Sequence, residues 1–429
     1  IALSLVGSEM CIRDSMRIGI VGGGISGLVV AHRLAKRFDT TVFEANAYIG
    51  GHTNTVDVKE ASGNVSVDTG FIVFNDATYP GFCHFLAELG LQGKPTEMSF
   101  SVRDDAENLE YRGMDLAGLF AQRRNLVRPR FWRLLSDFVR FRDIALKLLD
   151  DQEEVTVGEF FERHSFSNWF VHKYFLPMGS AVWSCPRATF QSFPIRFIIE
   201  FYKNHGMLGV QKRPQWFVVP GGSREYVRAL LADLNAKVHA GTPVQSVRRT
   251  TSGVQLLCHD GRKEEFDHVI VACHADQALR LLGSEATAIE RDLLVRFPYE
   301  QNEVVLHTDD SILPRRRKAW ASWNYHVRGR EDEKASVTYN MNILQGLNCE
   351  KTYCVTLNDT SRIDPSKIVR SFQYEHPIFQ VGRSHYQARH QELIDHDNIS
   401  YCGAYWANGF HEDGLQSGLR VANTLEKKA

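Results

Sequence analysis

The apolar run Ile18 to Val21 breaks into three glycines and resumes as Ile25-Ser-Gly-Leu-Val-Val-Ala-His-Arg-Leu34, whose apolar positions recur at helical spacing. Strand, tight turn and helix therefore follow one another directly. Thr40 to Glu44 predicts a second strand, and Val65 to Phe74 a third, interrupted at Asp68-Thr-Gly70. A loop from Asn75 to Pro80 leads into helical spacing at Phe82 to Leu89. From there to about Arg213 the pattern is mostly helical and rich in aromatics, and Phe131 to Leu149 is amphipathic at the helical period. After Trp216-Phe-Val-Val219 come a Pro220-Gly-Gly-Ser223 turn and a helix. Thr242 to Arg248, Val254 to Cys258 and Phe266 to His274 fit a small antiparallel meander followed by a parallel strand. Four further alternating stretches begin at Glu303, Ala319, Ala335 and Lys351 and read as an antiparallel sheet with aromatic and polar residues on one face. Asn398 to Ala422 closes the chain as strand, glycine loop and helix.

Composition narrows the reading. At 429 residues the chain exceeds one average domain. A formal net charge of -1 gives no pull toward nucleic acid, which is excluded as a partner. Eight cysteines lie scattered without a C-x-x-C pair, so neither a disulfide framework nor a metal site is expected, and a reducing cytoplasm fits. No apolar run reaches the length of a membrane span. Residues 1–15 lack the basic start and long apolar core of a signal peptide and resemble translated adaptor sequence. They are expected to be a non-native or disordered extension, with Met16 the natural beginning.

Candidate chemistry starts at the first turn. Gly22, Gly24 and Gly27 fit G-x-G-x-x-G at a strand–helix junction: the first permits the tight turn, the second lets a pyrophosphate approach the backbone, the third lets helix pack on sheet. The amides of Ile25 and Ser26 begin a helix whose N-terminus favours phosphate. Glu44 ends the second strand about twenty residues on, where a carboxylate takes ribose hydroxyls and repels a 2′-phosphate. The turn thus binds FAD or NAD and disfavours NADP. Cys273 and His274, which end a strand, read as structural.

With Gly50-Gly51 added just after Glu44, the stretch resembles the two-part FAD fingerprint of the flavin amine-oxidase and phytoene-desaturase superfamily. The Pro220-Gly-Gly turn and the C-terminal loop resemble that superfamily as well. The match is closest to predicted NAD/FAD-binding oxidoreductases associated with cyclopropane-fatty-acid-synthase-like methyltransferases. The resemblance implies an α/β fold: a Rossmann-like, glutathione-reductase-type FAD-binding domain (16–75, 215–285, 398–429) with an inserted α+β substrate domain. That insert comprises a mostly helical part, 76–214, and an antiparallel sheet, 286–397. It implies non-covalent FAD, held by Gly22, Gly24, Ile25, Ser26, Gly27, Glu44, Ala45, Gly50, Gly51, His52, Thr69, Gly70, Val244 at the adenine, Gly403, Ala404, Gly414, Leu415, Gln416 and Ser417. Many relatives carry a ribityl-binding acid where this chain has Ala404.

His307, Trp323, Asn324 and Tyr325 are the candidates for the cavity beside the flavin, with His307 as base if one is used. Trp169 to Pro186 reads either as pocket wall or as ordinary core. The resemblance leads first to hydride abstraction from a hydrophobic substrate, a fatty acyl or other lipid. An amine oxidase with Tyr405 or Trp406 flanking the flavin is the second reading, and a non-catalytic FAD-binding partner of a lipid methyltransferase the third. The helix after Arg123, Arg124, Arg128 and Arg130 either packs into the domain or lies on an anionic bilayer, peripherally at the inner membrane face. The run Arg315 to Lys318 reads as surface.

Overall fold

The computed structural model describes residues 16–149, 155–208, 214–327 and 336–428. The 1–15 extension expected above lies outside the described residues. Five strands form a parallel sheet in the order Lys237–His239, Asp39–Phe43, Arg17–Val21, His268–Val271, Ile399–Tyr401. Strands brought together from three distant stretches thus share one sheet. Ile18, Ile20, Val42, Val269, Ile270 and Ile399 are buried, as a sheet covered on both faces requires. The meander Val244–Arg249, Val254–Cys258, Lys263–Phe266 stands beside it, antiparallel as its alternation predicts.

Helix Ile25–Leu34 packs along the C-terminal helix His411–Glu426. Their approach depends on missing side chains. A Cβ on Gly418 would sit 2.6 Å from the carbonyl oxygen of Ser26, and one on Gly414 would sit 2.8 Å from Ile25 Cγ2.

A second, seven-stranded sheet runs Ile368–Pro377, Tyr299–His307, Cys354–Leu357, Val337–Asn340, Trp323–His326, Phe100–Asp104, Leu109–Arg112. The four strands anticipated from alternation lie side by side in its middle. One edge differs from the sequence reading. Phe100–Asp104 and Leu109–Arg112 come from the stretch read as mostly helical, and Trp323–His326 pairs parallel to Phe100–Asp104. Phe100–Asp104 alternates apolar and polar residues, yet it is buried at all five positions, so its polar face is covered as well.

Helices Pro129–Leu148, Val157–His164, Leu176–Trp183 and Ile195–Asn204 cap one end of this sheet around a core rich in phenylalanine. Pro129 opens the long helix at its first position, where its missing N–H costs nothing. Thr156 and Glu159 form a reciprocal capping box at the next. The long helix buries Phe131, Leu134, Asp137, Phe141 and Ala145, so its apolar face packs into the domain.

Gly418→Val pushes the two helices apart, and overpacking of this kind costs about 1–3 kcal/mol. A urea titration of the full chain is expected to show a lower midpoint by that amount; an unchanged midpoint would mean that the helices are not held at this distance.

Candidate active site

The glycine turn is built by backbone contacts. Gly22 has φ +114° and its N–H donates to Phe43 O at 2.8 Å, while a Cβ there would lie 2.6 Å from Ala272 O. Gly23 N–H donates to Glu44 Oε2 at 2.7 Å, and Glu44 Oε1 accepts from Asn46 N and Nδ2 at 2.8 and 2.9 Å. The second glycine pair docks on the first: Gly50 N–H donates to Gly23 O at 2.9 Å, and a Cβ on Gly51 would meet Gly24 Cα at 3.1 Å. Gly24 is different. A Cβ there would meet nothing within 4 Å, so protein packing does not require glycine at this position. The space it leaves faces the cavity, beside the amides that open helix Ile25–Leu34.

Gly70 touches His52, since a Cβ on it would lie 2.1 Å from His52 O. Asp68 is fully buried and ties this turn to the Pro-Gly-Gly-Ser turn by accepting from Ser223 N at 2.8 Å and Ser223 Oγ at 2.9 Å. Burial pushes its carboxyl up to about 6 despite those donors.

These turns form one end of a cavity of about 1070 Å³, at the top of the roughly 300–1,000 Å³ range of ligand pockets. Ile25, Ser26, Glu44, His52, Gly403 and Ala404 lie on its wall at this end. Its other arm runs between the seven-stranded sheet and the helices, past Met98, Phe100, Leu135, Phe138, Tyr174, Met178, Trp183, Trp323, Tyr339 and Phe379. Among the described residues the whole wall carries two carboxylates, Glu44 and Glu375, and no lysine or arginine.

Histidines converge where the two arms meet. The His52 ring lies 5.5 Å from that of His376 and 6.1 Å from that of His274, and its buried Nε2 has no hydrogen-bond partner. His274 Nδ1 is 3.0 Å from Glu375 Oε2; that hydrogen bond, ahead of any other cause, holds the Glu375 carboxyl down at about 2. His274 and Cys273, read as structural, are therefore wall residues. His376, Glu375 and Tyr374 were missed, although Phe372, Tyr374 and His376 alternate with polar residues as a strand should.

The structure corrects several site assignments. His307 is fully buried at the far end of its strand, with Nε2 2.7 Å from Thr356 Oγ1 and Nδ1 accepting from Asp309 N at 3.1 Å. It is off the cavity wall: Gln301 is on it, and six residues of strand separate the two by roughly 20 Å. Tyr325 and Asn324 are buried beyond the cavity's end, while Trp323 is on the wall with its ring 4.9 Å from Tyr339. Gly414, Leu415, Gln416 and Ser417 are also off the wall. The helix begins at His411, earlier than expected, and Asn408, Gly409, Phe410 and His411 face the cavity instead. Asp413 fixes that start by accepting from Phe410 N at 2.9 Å and Asn408 N at 3.1 Å.

Gly27 serves packing, since a Cβ on it would lie 2.0 Å from Gly22 O. Ala45, Thr69 and Val244 lie off the wall, Asn46 taking the place next to Glu44; the Thr69 hydroxyl is engaged with Asn54 O and Tyr374 OH. Tyr405 is on the wall, but Trp406 stacks on His390 at 4.2 Å, so the two do not face one another across the cavity. From the stretch Trp169 to Pro186, five residues (Tyr174, Met178, Val182, Trp183 and Ser184) line the wall.

Residues 25–293 match the family of flavin-containing amine oxidoreductases. A Mycobacterium tuberculosis protein named as a flavin-containing monoamine oxidase is 25% identical over 268 residues, 59% of this chain and 56% of that one. The chain aligns with about half the length, or less, of the curated relatives it matches. Two solved structures share the fold. A protein of Exiguobacterium sp. 255-15 named for protoporphyrinogen oxidation has a TM-score of 0.67 at 14% identity, covering 97% of this chain and 99% of its own. A CLA-producing fatty acid isomerase from P. acnes has a TM-score of 0.67 at 12% identity with the same coverage.

Two expectations test the site. Gly24→Val adds a side chain where the protein leaves open space, so the variant is expected to fold with unaltered far-UV circular dichroism yet purify colourless. Yellow Gly24→Val protein would remove the turn from the site. The second concerns pH. His52, His376 and His411 are kept neutral, at about 3, 4 and 3, chiefly by burial. The unfolded chain protonates such rings from pH ~6.5 downward and the folded chain does not, so stability falls as pH drops from there toward 4. Asp68 and Asp413, each pushed up to about 6, protonate first in the folded chain and offset part of the loss. His52→Asn is expected to make the fall in unfolding free energy shallower across that window; an equal slope would contradict the assignment.

Proposed function

Since the chain belongs to the family of flavin-containing amine oxidoreductases, it is an FAD-dependent oxidoreductase, and we propose that it oxidises a C–H bond of a long apolar substrate of the fatty acyl or lipid class. The observation that carries this reading is the arm of the cavity. It is lined largely by methionine, leucine and aromatic side chains, holds no carboxylate or cation among the described residues, and opens directly into the end with the glycine turn. The open space at Gly24, the carboxylate of Glu44 and the unpartnered Nε2 of His52 fit a bound FAD. Bound FAD supplies the acceptor for a hydride leaving a substrate carbon. Cys273 is a wall cysteine whose thiol burial pushes up to about 12, which makes it a poor nucleophile and supports a non-covalently held FAD.

The protein's own task is then to align, dry and deprotonate. Met98, Met178 and Met207 give the arm adaptable walls suited to a flexible chain. Where a double bond forms, a proton must also leave. His205, not His307, is the imidazole on the apolar arm. Its Nδ1 lies 2.8 Å from Phe201 O, which leaves Nε2 as the acceptor, and burial holds it neutral, at about 4. Its ring lies 6.2 Å from that of Phe410, in the loop that faces the cofactor end.

Amine oxidation is the second reading, favoured by the family itself. With no carboxylate on the arm, an amine would have to enter uncharged. An anaerobic absorption spectrum separates the two. Bleaching of the yellow protein by fatty acid or phospholipid, and not by a panel of amines, is the expected result; bleaching by amines alone would overturn the lipid reading. Met178→Lys, which sets a charge in the arm, is expected to abolish bleaching by lipid while the flavin spectrum stays.

A further inference from the structure

The apolar arm reaches the surface at Met114 and Val139, which both line the cavity and are 43% and 57% exposed. Seven of the ten large apolar side chains exposed among the described residues fall between residues 114 and 146: Met114, Leu116, Leu126, Val127, Trp132, Val139 and Leu146. Singly scattered, such residues would mean little; gathered round a cavity mouth they mark a contact surface.

The patch is firmly built. Trp132 Nε1 donates to Leu126 O at 2.9 Å, and Phe120 packs 5.6 Å from the Trp132 ring. Asn125 Nδ2 donates to Leu119 O at 3.4 Å, and Leu119 is itself on the cavity wall. Along the long helix, Trp132, Leu135 and Val139 form a stripe at spacings of three and four. It passes from the exposed patch to the wall and back.

Its charge is mainly of one sign. Between Met114 and Leu146 there are seven arginines against three aspartates, and none of the three lies between Leu116 and Ser136. Arg128 is engaged with the carbonyls of Asn108 and Glu107, and Arg133 with Asp137. Arg123, Arg124 and Arg130 are exposed and in no ion pair among the described residues. A protein partner would have to supply matching carboxylates around an otherwise aliphatic centre, whereas a bilayer of anionic phospholipid presents both parts at once. Its phosphates meet guanidinium groups, and its acyl boundary accepts leucine, valine and tryptophan.

We infer that this rim is a docking surface for an anionic phospholipid bilayer, seating the cavity mouth against the acyl region. No helix of the described residues is long and apolar enough to cross a membrane, so the contact is peripheral. The helix as a whole does not lie on the bilayer, since its main apolar face is buried in the domain; its first turns and the preceding loop make the contact. The inference rests on the lipid reading of the arm only for what passes through the mouth. The surface itself acts without turnover.

Flotation of the full FAD-loaded chain with vesicles tests it. Binding to phosphatidylcholine vesicles containing phosphatidylglycerol is expected, with little binding to phosphatidylcholine alone. The triple variant Arg123→Gln, Arg124→Gln, Arg130→Gln is expected to bind the anionic vesicles roughly a hundred-fold more weakly, taking about 1 kcal/mol per arginine. Val127→Asp with Trp132→Ser should also lose binding. Both variants should keep their flavin spectrum and circular dichroism. Wild type that stays with the soluble fraction, or variants that float equally well, overturn the docking surface even if lipid still bleaches the flavin. Wild type that floats as expected, while no lipid bleaches it, supports the surface and removes the lipid reading of the arm.

Discussion

At Gly22 the chain passes so close to Ala272 that no side chain fits, and within a few residues it is also pressed by Gly50 and Gly51 and by the helix that carries Gly414 and Gly418. Segments separated by hundreds of residues therefore meet at bare backbone. The constraint is steric and strict: backbone oxygens at 2.0 to 2.6 Å from a would-be Cβ cannot be relieved by a rotamer change. It sets the spacing of the first and last helices, the position of the parallel sheet beneath them and the place where the second glycine pair docks. The cofactor end of the cavity is a consequence of that packing. At Gly24, within the same turn, the protein stops short and leaves room for a ligand.

The same division of labour explains what could be read from the sequence. Positions that need glycine for protein reasons and positions that need it for a ligand fall in one short motif, and the acid at Glu44 is at fixed spacing from it, so this half of the site was legible. The parallel sheet was legible for the same reason, its strands being short apolar runs bounded by turns. What failed was register and distance. Gly414 to Gly418 read as the start of a helix; they are the small face of one already begun at His411, and the cue was Asp413 three residues after Phe410. His307 lies on a strand that does contribute to the wall, but at its wrong end, and periodicity fixes a face without fixing how far a cavity extends along it. The two strands near residues 100 and 110 do alternate, Phe-Ser-Val-Arg and Leu-Glu-Tyr-Arg, but each is a run of only four or five residues ahead of a long helical stretch.

Charge is distributed with equal economy. The rings of His52, His376 and His411 are buried and neutral, and among the described residues the carboxyl groups of the wall are Glu44, in the glycine turn, and Glu375, paired with His274. The interior can therefore be dry on the arm and hydrogen-bonding at the cofactor end. Hydride chemistry asks for that contrast, since a charged group near a reacting C–H bond would draw water in.

Among the described residues the wall carries no arginine or lysine while the exposed stretch from Met114 to Leu146 is rich in arginine, and this bears on how an acyl substrate would lie. A carboxylate or phosphate drawn into the arm would lose its hydration with no cation to replace it, at a cost of several kcal/mol. Left at the rim it meets Arg123, Arg124 and Arg130, while the hydrocarbon chain gains by leaving water for the methionine-lined arm. On the lipid reading such a chain would enter tail first, and the carbon reaching the glycine-turn end would be chosen by its distance from the head group. Selectivity of this kind measures length along an apolar channel and needs no polar contact at the reacting carbon. On the arm, His205 supplies a neutral imidazole as proton acceptor.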